Sequence, residues 1–182
     1  VPSLAKLATT ISDLKPLEDE IKRCVDDNGE IKDSASSELM RVRQEIRRGE
    51  SRLRDKLETM IRSSSVQKML QDSIITIRNN RYVIPVKQEY RAHFGGLVHD
   101  QSASGATLFI EPAAIVEMNS RLSELRLKEI REIEKILRIL TENVGLDVET
   151  LKDNIEALSQ LDFIFAKAEL AREMKATLPQ IN

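Results

Sequence analysis

The chain has 182 residues, of which 41% are hydrophobic, and a formal net charge of −2 from 28 basic and 30 acidic side chains, enough to bury a core in one or two domains. Its single cysteine, Cys24, excludes an internal disulfide and a thiolate metal site, and favours a reducing, cytoplasmic setting. No run of about 18 apolar residues offers a membrane span, no secretory leader is visible, and a start at Val1 reads as a piece of something larger.

Ser3 is placed to cap a short helix with Leu4, Leu7, Ala8 and Ile11 on one face. Pro16 punctuates, and Leu17–Val25 forms a second helix that ends at the Asp26-Asp27-Asn28-Gly29 turn signal. After a connector, a long helix runs from Ser36 to about Ile61. Its stripe is Leu39, Val42, Ile46, Leu53, Leu57 and Met60 or Ile61. Gly49 interrupts it and weakens it locally by roughly 1 kcal/mol relative to alanine. Ser63-Ser64-Ser65 ends the pattern, leaving Val66–Leu70 as a last turn or two.

Between Arg78 and Pro112 the period drops towards two. Ile74–Ile77 and Tyr82–Lys87 read as strands joined across Arg78-Asn79-Asn80-Arg81, because asparagine tolerates the positive φ of a tight hairpin. Pro85 lacks an N–H, so its strand lies at an edge or turns that position away from a ladder. Leu97–Gln101 and Thr107–Ile110 make a second pair around Ser102-Ala103-Ser104-Gly105. Glu111-Pro112 opens the next helix. Its stripe is Ile115, Met118, Leu122, Leu125, then Ile130, Ile133, Leu137, Leu140 and Val144, with one irregular step of about five residues. Gly145 and Asp147 mark a break. A final helix, Val148–Met174, carries Leu151, Ile155, Leu158, Leu161, Phe165 and Ala168, and a tail follows from Lys175. Ile46, Leu53, Leu57, Leu158, Leu161 and Phe165 are expected to be buried. The fold class is therefore α+β, predominantly α, with long helices carrying a small antiparallel sheet.

Catalytic chemistry finds little support. There is no phosphate-cradling G-x-x-x-x-G-K-[ST] loop, and although His93, His99 and Asp100 suggest a metal or acid–base site, two histidines with no third ligand at a fixed spacing suit a solvated loop better. Ser102 and Ser104 suit a turn better than a nucleophile. What remains is electrostatic. Arg78–His93 holds four Lys/Arg against one acid, net +3, in a chain of negative overall charge. Arg78, Arg81, Lys87, Arg91 and His93, with the hydroxyls of Ser102 and Ser104, can meet phosphates without reading sequence. The alternative is a solvated edge that discourages sheet-to-sheet aggregation. The series Arg41, Arg43, Arg47, Arg48, Arg52 and Arg54 circles its helix, which favours a solvated surface.

Three stretches, RYVIPVKQEYR (Arg81–Arg91), GLVHDQSASGATLFIEP (Gly96–Pro112) and LDFIFAKAELAREMKATLPQIN (Leu161–Asn182), strongly resemble the central region of the bacterial MutS type-two family. These are MutS paralogues associated with suppressing recombination rather than with mismatch repair. The resemblance covers most of the chain from Asp33 onward. It implies lever helices over 1–73, a small β-rich clamp over 74–111, and returning lever helices over 112–182. It further implies a clamp that grips branched or duplex DNA by its backbone, with ribosomal RNA or the ribosome as a further partner. The full-length protein is implied to be a cytoplasmic homodimer, an ATPase using ATP and Mg, and an endonuclease. Those catalytic domains are not in this segment, for which no cofactor, no metal, no membrane and no enzymatic activity of its own are expected. The alternative is a structural dimerisation or protein-docking arm without nucleic-acid contact.

Overall fold

The computed structural model describes residues 2–176. The expected cap by the Ser3 side chain and the tail from 177 onward lie outside the described residues. The architecture is predominantly helical with one four-stranded antiparallel sheet. Contacts divide the chain into two units, Ile31–Lys135 and Val1–Glu30 with Ile136–Asn182.

In the first unit, α3 (Ser37–Ile61) begins where Ser36 accepts a hydrogen bond from the Leu39 N–H, satisfying one of the donors that a helix start leaves open. Its buried residues are Leu39, Val42, Ile46, Leu53, Leu57 and Ile61, the stripe read from the spacing. After the short α4 (Ser64–Gln67), β1 (Thr76–Arg78) and β2 (Arg81–Lys87) form a hairpin with Arg78 opposite Arg81. Asn79 and Asn80 hold it at φ of 50° and 60°. A short helix that the pattern did not foretell, α5 (Arg91–Phe94), leads to β3 (Leu97–Gln101) and β4 (Thr107–Glu111). The strand order is β1-β2-β4-β3.

Pro85 is on an interior strand, so of the two positions open to it the second applies. It stands opposite Phe109, and its carbonyl turns away from β4 to accept from Gln71 N–H at 2.9 Å. The missing N–H therefore costs β4 nothing. Tyr82, Ile84, Val86, Leu108 and Ile110 of the sheet pack with Leu53, Leu57, Ile61, Leu122 and Leu125 in one cluster. Burial of this apolar surface is the main stabilising term.

A 3-10 turn, Ala113–Ile115, follows Pro112 and opens into α6 (Val116–Leu146). Ile115, Leu122 and Leu125 are buried as expected, whereas Ile130 and Leu137 are exposed. The three-four rhythm continues instead through Glu129 and Glu132. Glu129 accepts from Arg43 Nε at 2.7 Å, and Glu132 from the Ser36 hydroxyl at 2.9 Å. Two acids with dedicated donors occupy inward positions that a tally of apolar residues assigns to their neighbours.

Arg43 also donates to Asp33 at 2.7 Å, and Arg47 reaches the same carboxylate at 3.1 Å. The hydrogen bond from Arg43, helped by Arg47, holds the Asp33 carboxyl below its ordinary range. A lowered folded-state value makes this stabilisation complete above the ordinary aspartate pKa of about 3.9, and it is lost as pH falls through the lowered value. Asp33→Asn should therefore be less stable than wild type at neutral pH, by under about 1 kcal/mol for so exposed a carboxylate. Urea titrations should find the difference closing in acid; a gap that persists there would assign the loss to packing.

The second unit contains α1 (Pro2–Ala8), α2 (Lys15–Cys24), the rest of α6 and α7 (Val148–Glu173). Asp147 separates the last two helices, at the expected break. The Asn154 carboxamide accepts from Ser12 N–H at 2.8 Å and donates to Ser12 O at 2.9 Å, holding the loop after α1. Cys24, Ile136, Leu140 and Ala157 are buried. The expected burial of Leu158 and Phe165 does not hold: they are 53% and 61% exposed, while Leu161 is half-buried. Phe163 and Leu170, off that stripe, are exposed as well. A helix apolar on several sides has no single inward face for a stripe to identify. Among the described residues, no helix is long and apolar enough to cross a membrane.

Candidate nucleic-acid interface

The sheet's polar chemistry converges on Glu111, the last residue of β4, whose side chain is fully buried. A carboxylate taken out of water needs several donors to remain charged. Glu111 receives Asn119 Nδ2 from α6 at 2.9 Å and Arg81 Nη1 from β2 at 3.2 Å. His99 Nε2 of β3 stands 2.5 Å from its other oxygen. The ladder between β3 and β4 shifts register between Val98 and Asp100. Such bulges re-aim a side chain, and His99 at this shift turns inward from a strand whose other residues are exposed. Arg81 Nη1 also donates to the Ser120 hydroxyl at 3.0 Å.

Asn119 has a second task. It accepts from Tyr82 N–H at 3.1 Å and donates to Tyr82 O at 3.0 Å, from a position only 1% exposed. Its carboxamide thus acts as a strand partner for a residue of β2 that lies beyond the reach of β4, whose pairing begins at Ile84. Sequence reading missed both Glu111 and Asn119. The available signal was a polar residue set between Ile115 and Leu122 on an apolar helix face.

The candidate contact residues divide by what already holds them. Arg81 is committed to Glu111 and Ser120. Arg78 donates to Asp100 at 3.1 Å and lies 4.2 Å over the Phe109 ring. Lys87 Nζ donates to Lys68 O at 3.0 Å. The hydroxyls of Ser102 and Ser104 accept from Thr107 N–H and Ala106 N–H, which closes the β3–β4 turn. Arg91 and His93 on α5 are exposed; His93 makes an edge contact with Phe94, and Arg91 has no partner among the described residues. Arg91 borders a shallow cleft of about 360 Å³ with Gln88, Gly95 and Gly96. The structure thus brings Arg81 and His99 together around a buried acid, and leaves Arg91 free. Among the described residues, no group of three His, Cys, Asp or Glu is arranged to hold a metal ion.

No family model matches the chain. Over 182 residues it is 64% identical to a Brevibacillus brevis (strain 47 / JCM 6285 / NBRC 100599) protein named endonuclease MutS2. Proteins of the same name from Geobacillus sp. (strain WCH70) and Bacillus cereus (strain Q1) are 58% identical over 181 residues and 57% identical over 182 residues. Each match takes in 100% of this chain and 23% of the relative, so the chain spans about a quarter of the length of these curated relatives. With identity of this order along its whole length, the chain belongs to the MutS2 family, as a segment of a longer protein.

Proposed function

We propose that this segment is the clamp and lever part of a MutS2-family protein and binds nucleic acid by its backbone, without sequence readout. The observation that carries the reading is the match to relatives named as endonucleases, whose substrate is nucleic acid. It is supported by the local excess of positive charge over Arg78–His93. In this reading residues 74–111 form the clamp, and 1–73 and 112–182 the levers. The full-length protein is a cytoplasmic homodimer that uses ATP and Mg, cuts DNA through domains outside this segment and suppresses recombination at branched DNA. Stalled ribosomes are a further target, through ribosomal RNA. Of the clamp residues, Arg91 and His93 are free to meet phosphates, whereas Arg78, Lys87, Ser102 and Ser104 would have to exchange an internal partner. Arg81 is a poor probe, since its removal takes a donor from buried Glu111.

A second reading rests on a different feature. The exposed Ile155, Leu158, Phe163 and Phe165 of α7 suit a helical docking or dimerisation arm. Binding of the full-length protein and of the segment to four-way DNA, duplex DNA and ribosomal RNA, across a range of salt, separates the two. The clamp reading expects log K to fall linearly with log salt and to be alike for unrelated sequences. Self-association without any salt-dependent nucleic-acid binding would leave the docking arm as the function.

A further inference from the structure

Of the six arginines spread along α3, four are held within the protein. Arg41 pairs with Glu38 and Glu45, Arg43 with Asp33 and Glu129, and Arg47 with Asp33. Arg54 lies 5.3 Å over the Tyr82 ring. Arg48 and Arg52 have no partner among the described residues. Both are exposed, stand one turn apart on one face of the helix, and line the same groove of about 400 Å³ between α3 and α6. Arg121 of α6 borders it from the other side.

We propose that this groove, rather than the sheet edge alone, holds the nucleic-acid backbone, with Arg48 and Arg52 donating to phosphates, while Arg121 is already paired with Glu45 and Glu124. The proposal rests on the nucleic-acid reading above and gives it a place. Guanidinium groups with no internal acid are the ones able to bind phosphate without first breaking an ion pair. Of the two acids at the rim, one is already engaged and the other opposes the arginines. Glu45 is engaged by Arg41 at 2.9 Å and by Arg121 at 3.5 Å. Glu117 has no partner among the described residues and is the repulsive group here. The groove floor favours a polyanion over a protein helix. Leu122 and Leu125 are 2% and 4% exposed, so little apolar surface remains to anchor a helix by its hydrophobic face.

The test uses the full-length protein and a four-way DNA junction. Replacing Arg48 and Arg52 together with alanine should lower the slope of log K against log salt by about two units, and weaken binding equally for different sequences. Lysine at both positions should retain the slope, and Glu117→Gln should tighten binding. All three sites are exposed, so circular dichroism and melting should remain at wild-type values. If wild type binds with a steep salt slope and the double alanine variant matches it, the groove is not the site, while the clamp reading stands. If wild type shows no salt-dependent binding, the clamp reading itself fails. If the variant binds DNA normally but loses self-association, the groove holds a protein partner and the proposal is overturned.

Discussion

Replacing Asn119 with leucine is expected to destabilise the sheet-bearing unit by about 3 kcal/mol or more, because three buried groups lose a partner at once. Tyr82 N–H, Tyr82 O and Glu111 all bond to this one carboxamide. Leucine matches the size of asparagine roughly and adds apolar surface, but none of the stranded groups can reach water. Aspartate is no remedy: it accepts from Tyr82 N–H yet sets a second carboxylate against Glu111. Urea unfolding of the segment, followed by circular dichroism, measures the loss for both variants. If Asn119→Leu lies within about 1 kcal/mol of wild type, a fraction of the cost of stranding these groups, Asn119 does not hold the strand to the helix.

Gly96→Ala should have an effect at least as large. The backbone at Gly96 has φ of +72°, and a Cβ there would lie 2.0 Å from Glu111 O and 2.7 Å from Ala113 N. Those are backbone atoms where β4 turns into α6, so no side-chain rotation relieves the overlap. Strain of this kind, added to a left-handed conformation for alanine, amounts to about 4 kcal/mol or more. Two other glycines supply controls. At Gly29, φ is +84° with no atom within 4 Å of the added carbon, so alanine costs only about 1–2 kcal/mol. At Gly49 the added carbon meets the Leu122 side-chain end at 2.8 Å, and a gain in helix propensity of about 1 kcal/mol offsets much of that contact. Thermal melts of the three alanine variants should rank Gly96 far below the others, and equal melting points would contradict the close approach.

The same physics explains which parts of the structure were legible in the sequence. The α3 stripe, the Asn79-Asn80 turn and the break at Asp147 were readable, because each depends on local spacing or on backbone preference at one or two residues. The inward course of α6 was not. Its seam passes through Glu129 and Glu132, whose place depends on Arg43 and Ser36, about 90 residues earlier in the chain. On α7, apolar residues occur on several sides, and spacing alone cannot rank them. At the candidate interface, charge marked a basic segment but could not distinguish a free arginine from a committed one. Arg81 and Arg91 look equivalent as letters; one bonds to a fully buried glutamate and the other faces solvent. The pairing of Arg43 and Arg47 likewise follows from three-dimensional neighbours, Asp33 and Glu129, whereas Arg41 pairs with Glu38 and Glu45 of its own helix.

Cross-linking tests whether this segment itself touches nucleic acid. A photoreactive amino acid would be placed in the full-length protein at Arg48, Arg52 or Arg91, and in separate controls at the exposed positions Glu58 and Lys152. Each protein would be irradiated with a four-way DNA junction and with ribosomal RNA. Covalent adducts are expected from the arginine positions to at least one of these nucleic acids, suppressed by high salt, with few or none from the controls. If the full-length protein binds either nucleic acid, yet every adduct maps outside residues 1–182 and none arises from those three positions, the segment is not the clamp.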